Sequence, residues 1–212
     1  MYHLIRTRIE DIWRSFSAGS RADALADYNW LLAELCARDV SSDREYQRRF
    51  RAFWRMRCGD KWGRVFFHLL EQHKARGDAD PIDVATQLYR QPSRAGKRTL
   101  EFSFATKLVH TVNPHQPIYD SMVSRFYFLT PPSDGALKDR LAAYGECFRF
   151  LVNEYARVTR KRLLTDAIEK FRRDVPAARR HTDEKIIDWM IWQFVDLAQR
   201  ERWFARGLCI HR

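Results

Sequence analysis

Apolar residues recur at spacings of three and four along most of the chain, and the strict alternation that marks strands is nearly absent, so the pattern predicts an all-α protein. The stretch Ala22 to Arg38 sets Leu25, Tyr28, Leu32 and Leu35 on one helical face. Ser41-Ser42-Asp43 then supplies caps for a second helix running through Arg57. A third covers Lys61 to Lys74 and ends before Gly77, and Asp80-Pro81 starts a fourth, with Asp as N-cap and Pro at the first helical position. Gln91 to Lys97 breaks the pattern. From about Thr99 a helix runs to Val112, and the segment from Asn113 to Pro117 must end it because neither Pro114 nor Pro117 fits a helix interior.

Another helix is expected from Asp120-Ser121 to Thr130-Pro131-Pro132, a long one from Asp134-Gly135 toward Arg157, and a further one from Arg162 to Arg173. Thr182-Asp183-Glu184 caps the last, which is expected to reach Trp203. It carries Ile186, Ile187, Trp189, Met190, Ile191, Trp192, Phe194, Val195 and Leu197 around most of its circumference, so a central position is expected. Neither an internal repeat nor a linker cuts the chain. A single all-α domain over residues 1–212 follows, and if it divides into two lobes their cleft is expected near residues 90–130.

Composition narrows the function class. The 212 residues hold 38 Lys and Arg against 27 Asp and Glu, a net charge of +11, which makes a polyanion the first partner to consider. With 45% hydrophobic and 14% aromatic residues, a disordered basic tail is excluded. No apolar run approaches the roughly 20 residues of a membrane span, and the first residues lack a signal peptide's features. A cytoplasmic, nucleoid-associated monomer with no membrane partner is therefore expected. Cys36, Cys58, Cys147 and Cys209 lie far apart with no C-x-x-C pair, so no metal or other cofactor is expected, and the thiols are expected to be reduced and mostly buried.

The cations are clustered and are mostly Arg, whose planar fork suits phosphate. Arg44, Arg48, Arg51 and Arg55 follow i, i+4, i+7, i+11 spacing, which lines four guanidinium groups on one face of the second helix. An unpaired stripe of this kind is readily explained by a polyanion, although bridges to acids elsewhere would account for it equally. A second cluster spans Arg157, Arg160, Lys161, Arg162, Lys170, Arg172, Arg173, Arg179 and Arg180, and a third comprises Arg90, Arg94, Lys97 and Arg98. Together they favour nucleic acid over a small acidic ligand.

The third cluster precedes the least generic segment, Glu101 to Val123, in which a helix-borne Lys107 is followed by a Pro117-Ile118-Tyr119-Asp120 turn. Over about residues 90–129 this segment resembles the catalytic segment of helix-hairpin-helix DNA glycosylases of the 8-oxoguanine glycosylase type. Thr106-Lys107 matches the family's Thr-Lys step, and Pro117 to Asp120 matches its Pro-Val-Asp turn with one extra residue; Glu101 to Phe104 stands where the family has a glycine hairpin. The segment is similar, too, to one in small bacterial proteins of glycosylase-like fold.

The resemblance implies a duplex DNA substrate with a damaged or modified base, phage DNA included, that is flipped out and excised. Asp120 would stabilise the cationic sugar or activate water, and Lys107 would be a possible Schiff-base nucleophile. Phe102, Phe104, Tyr119, Trp54 and Trp62 are candidates for the wall that stacks on the base. His110, Ser121 and Arg125 join Arg44, Arg48, Arg51, Arg55, Arg94, Lys97 and Arg98 as candidate DNA-backbone contacts.

Plainer roles exist for the same residues. Asp120-Ser121 suits a helix cap, Lys107 an exposed helix position, and Asp188 in the apolar final helix a structural bridge to an Arg. Two other functions compete: a helical nucleic-acid-binding protein without catalysis, and an RNA-cleaving toxin suggested by Arg206-x4-His211.

Overall fold

The computed structural model describes residues 1–17, 21–92 and 96–201. Among these residues the fold is all-α, as the periodicity predicts, with no strand. The helices are α1 (Tyr2–Thr7), α2 (Ile9–Ser17), α3 (Arg21–Ala37), α4 (Arg44–Phe53), α5 (Asp60–Lys74), α6 (Pro81–Tyr89), α7 (Phe102–Val112), α8 (Ser121–Tyr127), α9 (Leu137–Arg160), α10 (Thr165–Asp174) and α11 (Asp183–Arg200), with a 3-10 turn at Pro176–Ala178 before α11.

Local chemistry sets most of the starts. Asp43 accepts the Tyr46 N–H, Asp80 accepts those of Ile82 and Asp83, and the Thr182 hydroxyl accepts that of Lys185. Several ends differ from the predicted ones. Helix α4 stops at Phe53, because Arg55 takes a left-handed φ of 51° and the Met56 N–H turns back to the Arg51 carbonyl. Phe128 ends α8 in the same way with φ 57°, short of Thr130, and Arg162 at φ 54° separates α9 from α10. Trp203 lies outside the described residues. The α1 and α2 helices, which the pattern did not predict, precede α3.

Helix α11 has the expected central place: it packs against α1, α2, α8, α9 and α10. Ile186, Ile187, Met190, Ile191, Phe194, Val195, Leu197 and Ala198 are buried on it, at roughly 1.5–3 kcal/mol for each large apolar side chain. It also buries Lys185, Asp188 and Gln193, so its N-terminal half holds charge inside the core. A second buried polar group ties the chain's start to its later helices: the Tyr2 hydroxyl lies 2.7 Å from that of Tyr127 and donates to Glu154 at 2.8 Å.

One expectation is corrected here. Cys36 is exposed, and Cys58 and Cys147 are only half-buried, so these thiols are not core residues; Cys209 lies outside the described residues. The cluster around α10 is partly neutralised: Arg157 pairs with Glu154, Lys170 with Glu10 and Asp174, and Arg172 with Asp183. No helix among the described residues is long and apolar enough to cross a membrane.

Candidate functional site

The two candidate catalytic residues are joined through their chain neighbours. Thr106 is fully buried on α7, and its hydroxyl accepts the Tyr119 N–H at 3.1 Å, with the Tyr119 and Ser103 carbonyls at 3.2 and 3.0 Å to donate to. Lys107 follows one end of this clasp by one residue, and Asp120 follows the other. One turn further along α7, His110 Nδ1 donates to the Gln116 carbonyl at 2.7 Å, which leaves Nε2 to accept from the Tyr28 hydroxyl at 2.8 Å. Thr182 donates to the Pro114 carbonyl at 2.8 Å. The loop between α7 and α8 is therefore held from α7 and the start of α11, with Tyr28 of α3 fixing the His110 ring.

Asp120 is the N-cap of α8, its Oδ1 accepting the Met122 and Val123 N–H groups at 2.8 and 2.9 Å. Its Oδ2 accepts no hydrogen bond among the described residues. Capping and chemistry are thus not alternatives here, because the cap occupies one oxygen and leaves the other. Burial lowers the pKa of Lys107, opposed first by the charge of Asp120 and then by that of Asp188, while Lys185 adds to the lowering. The ammonium lies 4.8 Å from the Phe104 ring centre and 5.6 Å from that of Trp54.

Beneath Trp54 lies a pair not assembled from the sequence. Lys185, 1% exposed, donates to Asp188 Oδ2 at 3.0 Å, and its ammonium sits 5.0 Å from Trp54, 4.8 Å from Tyr28 and 4.6 Å from Trp189. Asp188, 6% exposed, therefore bridges to a lysine of its own helix and not to an arginine, which corrects the expectation for it. Burial pushes its pKa up against the pull of Lys185, and its Oδ1 has no hydrogen-bond partner among the described residues. The i, i+3 spacing of two opposite charges in an apolar helix was the available signal.

The candidate base wall divides. Trp54 and Phe104 border Lys107, whereas Phe102 packs against Tyr119, Tyr144 and Phe148, and Trp62 stacks on Phe66. Phe102, Trp62 and Tyr119 are buried core residues, so their rings support the site from behind.

The Arg stripe divides too. Arg44 and Arg48 are exposed on α4. Arg51 folds onto α5, where its guanidinium occupies the space a side chain at Gly63 would take, 4.0 Å from Asp60 and 5.7 Å from the Phe67 ring centre. Arg55 lies beyond the helix with its guanidinium 5.9 Å from the Trp192 ring centre. Lys97, Arg98, Ser121 and Arg125 are exposed, and Arg94, Arg206 and His211 lie outside the described residues. His110 is 1% exposed with both ring nitrogens engaged, which leaves none for a phosphate; burial lowers its pKa to about 3.

Among the described residues no group of three or more His, Cys, Asp or Glu is arranged to hold a metal ion. The site's resources are one carboxylate oxygen without a hydrogen-bond partner, an amine between two aromatic rings, and exposed cations before α7 and along α8. No known protein family, curated protein or solved structure matches the chain.

Proposed function

We propose that the protein is a DNA glycosylase-like enzyme that excises a damaged or modified base by hydrolysis of its N-glycosidic bond. The observation that carries the reading is the Thr106 clasp, which holds Lys107 and Asp120 in electrostatic range of each other although they are thirteen positions apart. In this reading Asp120 Oδ2 faces the sugar. As the bond from C1′ to the base nitrogen breaks, its electron pair leaves with the base and positive charge grows on the sugar, which the carboxylate stabilises. Water adds its oxygen to C1′ and passes a proton to Asp120, and the departing nitrogen takes up a proton in turn.

Trp54 and Phe104 are the rings available to a base drawn from the stack. Arg44, Arg48, Lys97, Arg98 and Arg125 are the exposed cations available to the phosphates.

The test is base release from duplexes carrying damaged or phage-type modified bases, read as strand breaks after alkali. Asp120→Asn is the decisive variant because Asn caps a helix as well as Asp does, so the fold is kept while the charge is removed. Loss of about 100- to 10,000-fold in release with unchanged stability is expected. No release from any duplex, or equal release by the variant, overturns the reading.

A further inference from the structure

We propose that the buried Lys185–Asp188 pair is a positioning device for Trp54: the Lys185 ammonium, tethered by Asp188, fixes the tilt of the indole on which the extruded base stacks. The inference rests on the reading above and deepens it, because it names what aims the ring that receives the base.

Trp54 needs such a mount. It is the residue at which α4 stops, it is half-buried, and Arg55 after it turns left-handed, so no helix continues past Trp54 to hold its side chain in register. Among the described residues its ring neighbours Phe53, Phe50 and His110 stand at 79°, 53° and 84° to it, so none stacks flat upon it. Apolar contact is non-directional and leaves the tilt of a ring loosely set. A cation over a ring is directional, because the attraction is to the negative π-face. The Lys185 nitrogen lies over Trp54 at 5.0 Å.

The ammonium is itself held from several sides. Asp188 Oδ2 accepts from it at 3.0 Å, and the Tyr28 and Trp189 ring centres lie 4.8 and 4.6 Å from it. Tyr28 extends the linkage, since its hydroxyl donates to His110, which donates in turn to the Gln116 carbonyl in the loop that leads to Asp120. One buried cation thus ties the stacking ring to that loop. Stability alone does not account for the pair: two well-packed apolar side chains would serve as well or better, and Asp188 keeps one oxygen without a hydrogen-bond partner among the described residues. What apolar side chains do not supply is direction.

The test replaces the pair by Lys185→Met/Asp188→Leu in the full chain, which fills the space with apolar groups and is expected to leave the melting temperature unchanged or raised. Lys185→Gln, which still donates to Asp188 but carries no charge, is a second route to the same loss. Nitrogen-15 relaxation then reads the Trp54 indole N–H, identified by its absence in Trp54→Phe. In both variants its order parameter is expected to fall from about 0.85, the value of a rigid group, to below about 0.6, while that of Trp62, packed on Phe66 in the core, does not move. Lys185→Arg, which retains a cation for Asp188 and the rings, is expected to keep the Trp54 value near that of the wild type. A Trp54 order parameter that stays at the wild-type value when the cation is removed overturns the inference, whatever the protein does to DNA.

The double variant carries the second readout. On duplexes that release a base it is expected to lose up to about 100-fold in kcat/KM, and the loss should not add to that of Trp54→Ala, since both act through one ring. Losses that multiply, or release equal to that of the wild type, overturn the inference. If Trp54 loosens as expected while no duplex releases a base, the mount holds and the glycosylase reading fails. If bases are released while Trp54 stays rigid, the reverse is true.

Discussion

Thr106→Val isolates the hydroxyl that joins α7 to the residue before Asp120. The side chain is fully buried and valine nearly matches its volume, so the change removes hydrogen bonds without opening a large cavity. What remains is a buried Tyr119 N–H with no acceptor and a Tyr119 carbonyl with one donor fewer. Leaving a buried donor unmatched costs about 1–3 kcal/mol, and the weaker carbonyl loss adds about 0.5–1 kcal/mol, for a total of about 1.5–4 kcal/mol. For a domain of this size that lowers the melting temperature by about 3–16 °C. Calorimetry or urea unfolding measures it.

Thr106→Ser, which keeps the hydroxyl and removes one methyl group, should cost only about 1 kcal/mol. Base release should fall more in the valine variant than its stability explains, because Asp120 is no longer held within the roughly 1 Å that catalytic positioning requires. A valine variant within about 0.5 kcal/mol of the wild type, with base release intact, would refute the clasp as the origin of the site.

Other outcomes follow from the same contacts. Burial lowers the pKa of His110 to about 3 and that of His181 to about 4, below the ordinary value of 6.5, so the unfolded chain takes up these protons first. Their contribution is complete above pH 6.5 and is lost as pH falls, each removing about 2 kcal/mol by pH 5, and His110→Gln should reduce the slope of urea stability against pH by about half. Gly63→Ala sets a Cβ 2.0 Å from Arg51 Nη2, the far end of a movable side chain, so the guanidinium should swing aside and stability should change by less than about 1 kcal/mol in a thermal melt. Arg44→Ala and Arg48→Ala should each lower the slope of log affinity against log salt for duplex DNA by about 0.9 if each holds one phosphate, while Arg51→Ala, packed on α5, should change it little.

Features written into a few adjacent residues were legible in the sequence. Asp80-Pro81, Asp120-Ser121 and Thr182 act within their own first turns, so the helix starts they signal are where the sequence puts them. The end of α4 was not legible, because it depends on a left-handed Arg55 that no glycine announces. Among the aromatics, Phe102 and Phe104 are indistinguishable by type and only two positions apart, yet one lies in the core and the other faces Lys107; the packing of Tyr144 and Phe148 decides between them. Lys185 acquires its surroundings from Tyr28 and Trp54, more than a hundred positions away, which no local pattern encodes.

The clasp at Thr106 has a consequence for how such a site can change over time. It closes the mouth of a loop that leaves along α7 to Val112 and returns through residues 113–118, so the distance between Lys107 and Asp120 is set at the mouth and not by the length of the excursion. Doubling such a loop costs only about 0.6 kcal/mol of closure entropy. Residues could be added to or lost from the far end of the excursion while the amine and the carboxylate kept their separation, and proteins with quite different spacings between these two residues could share one geometry.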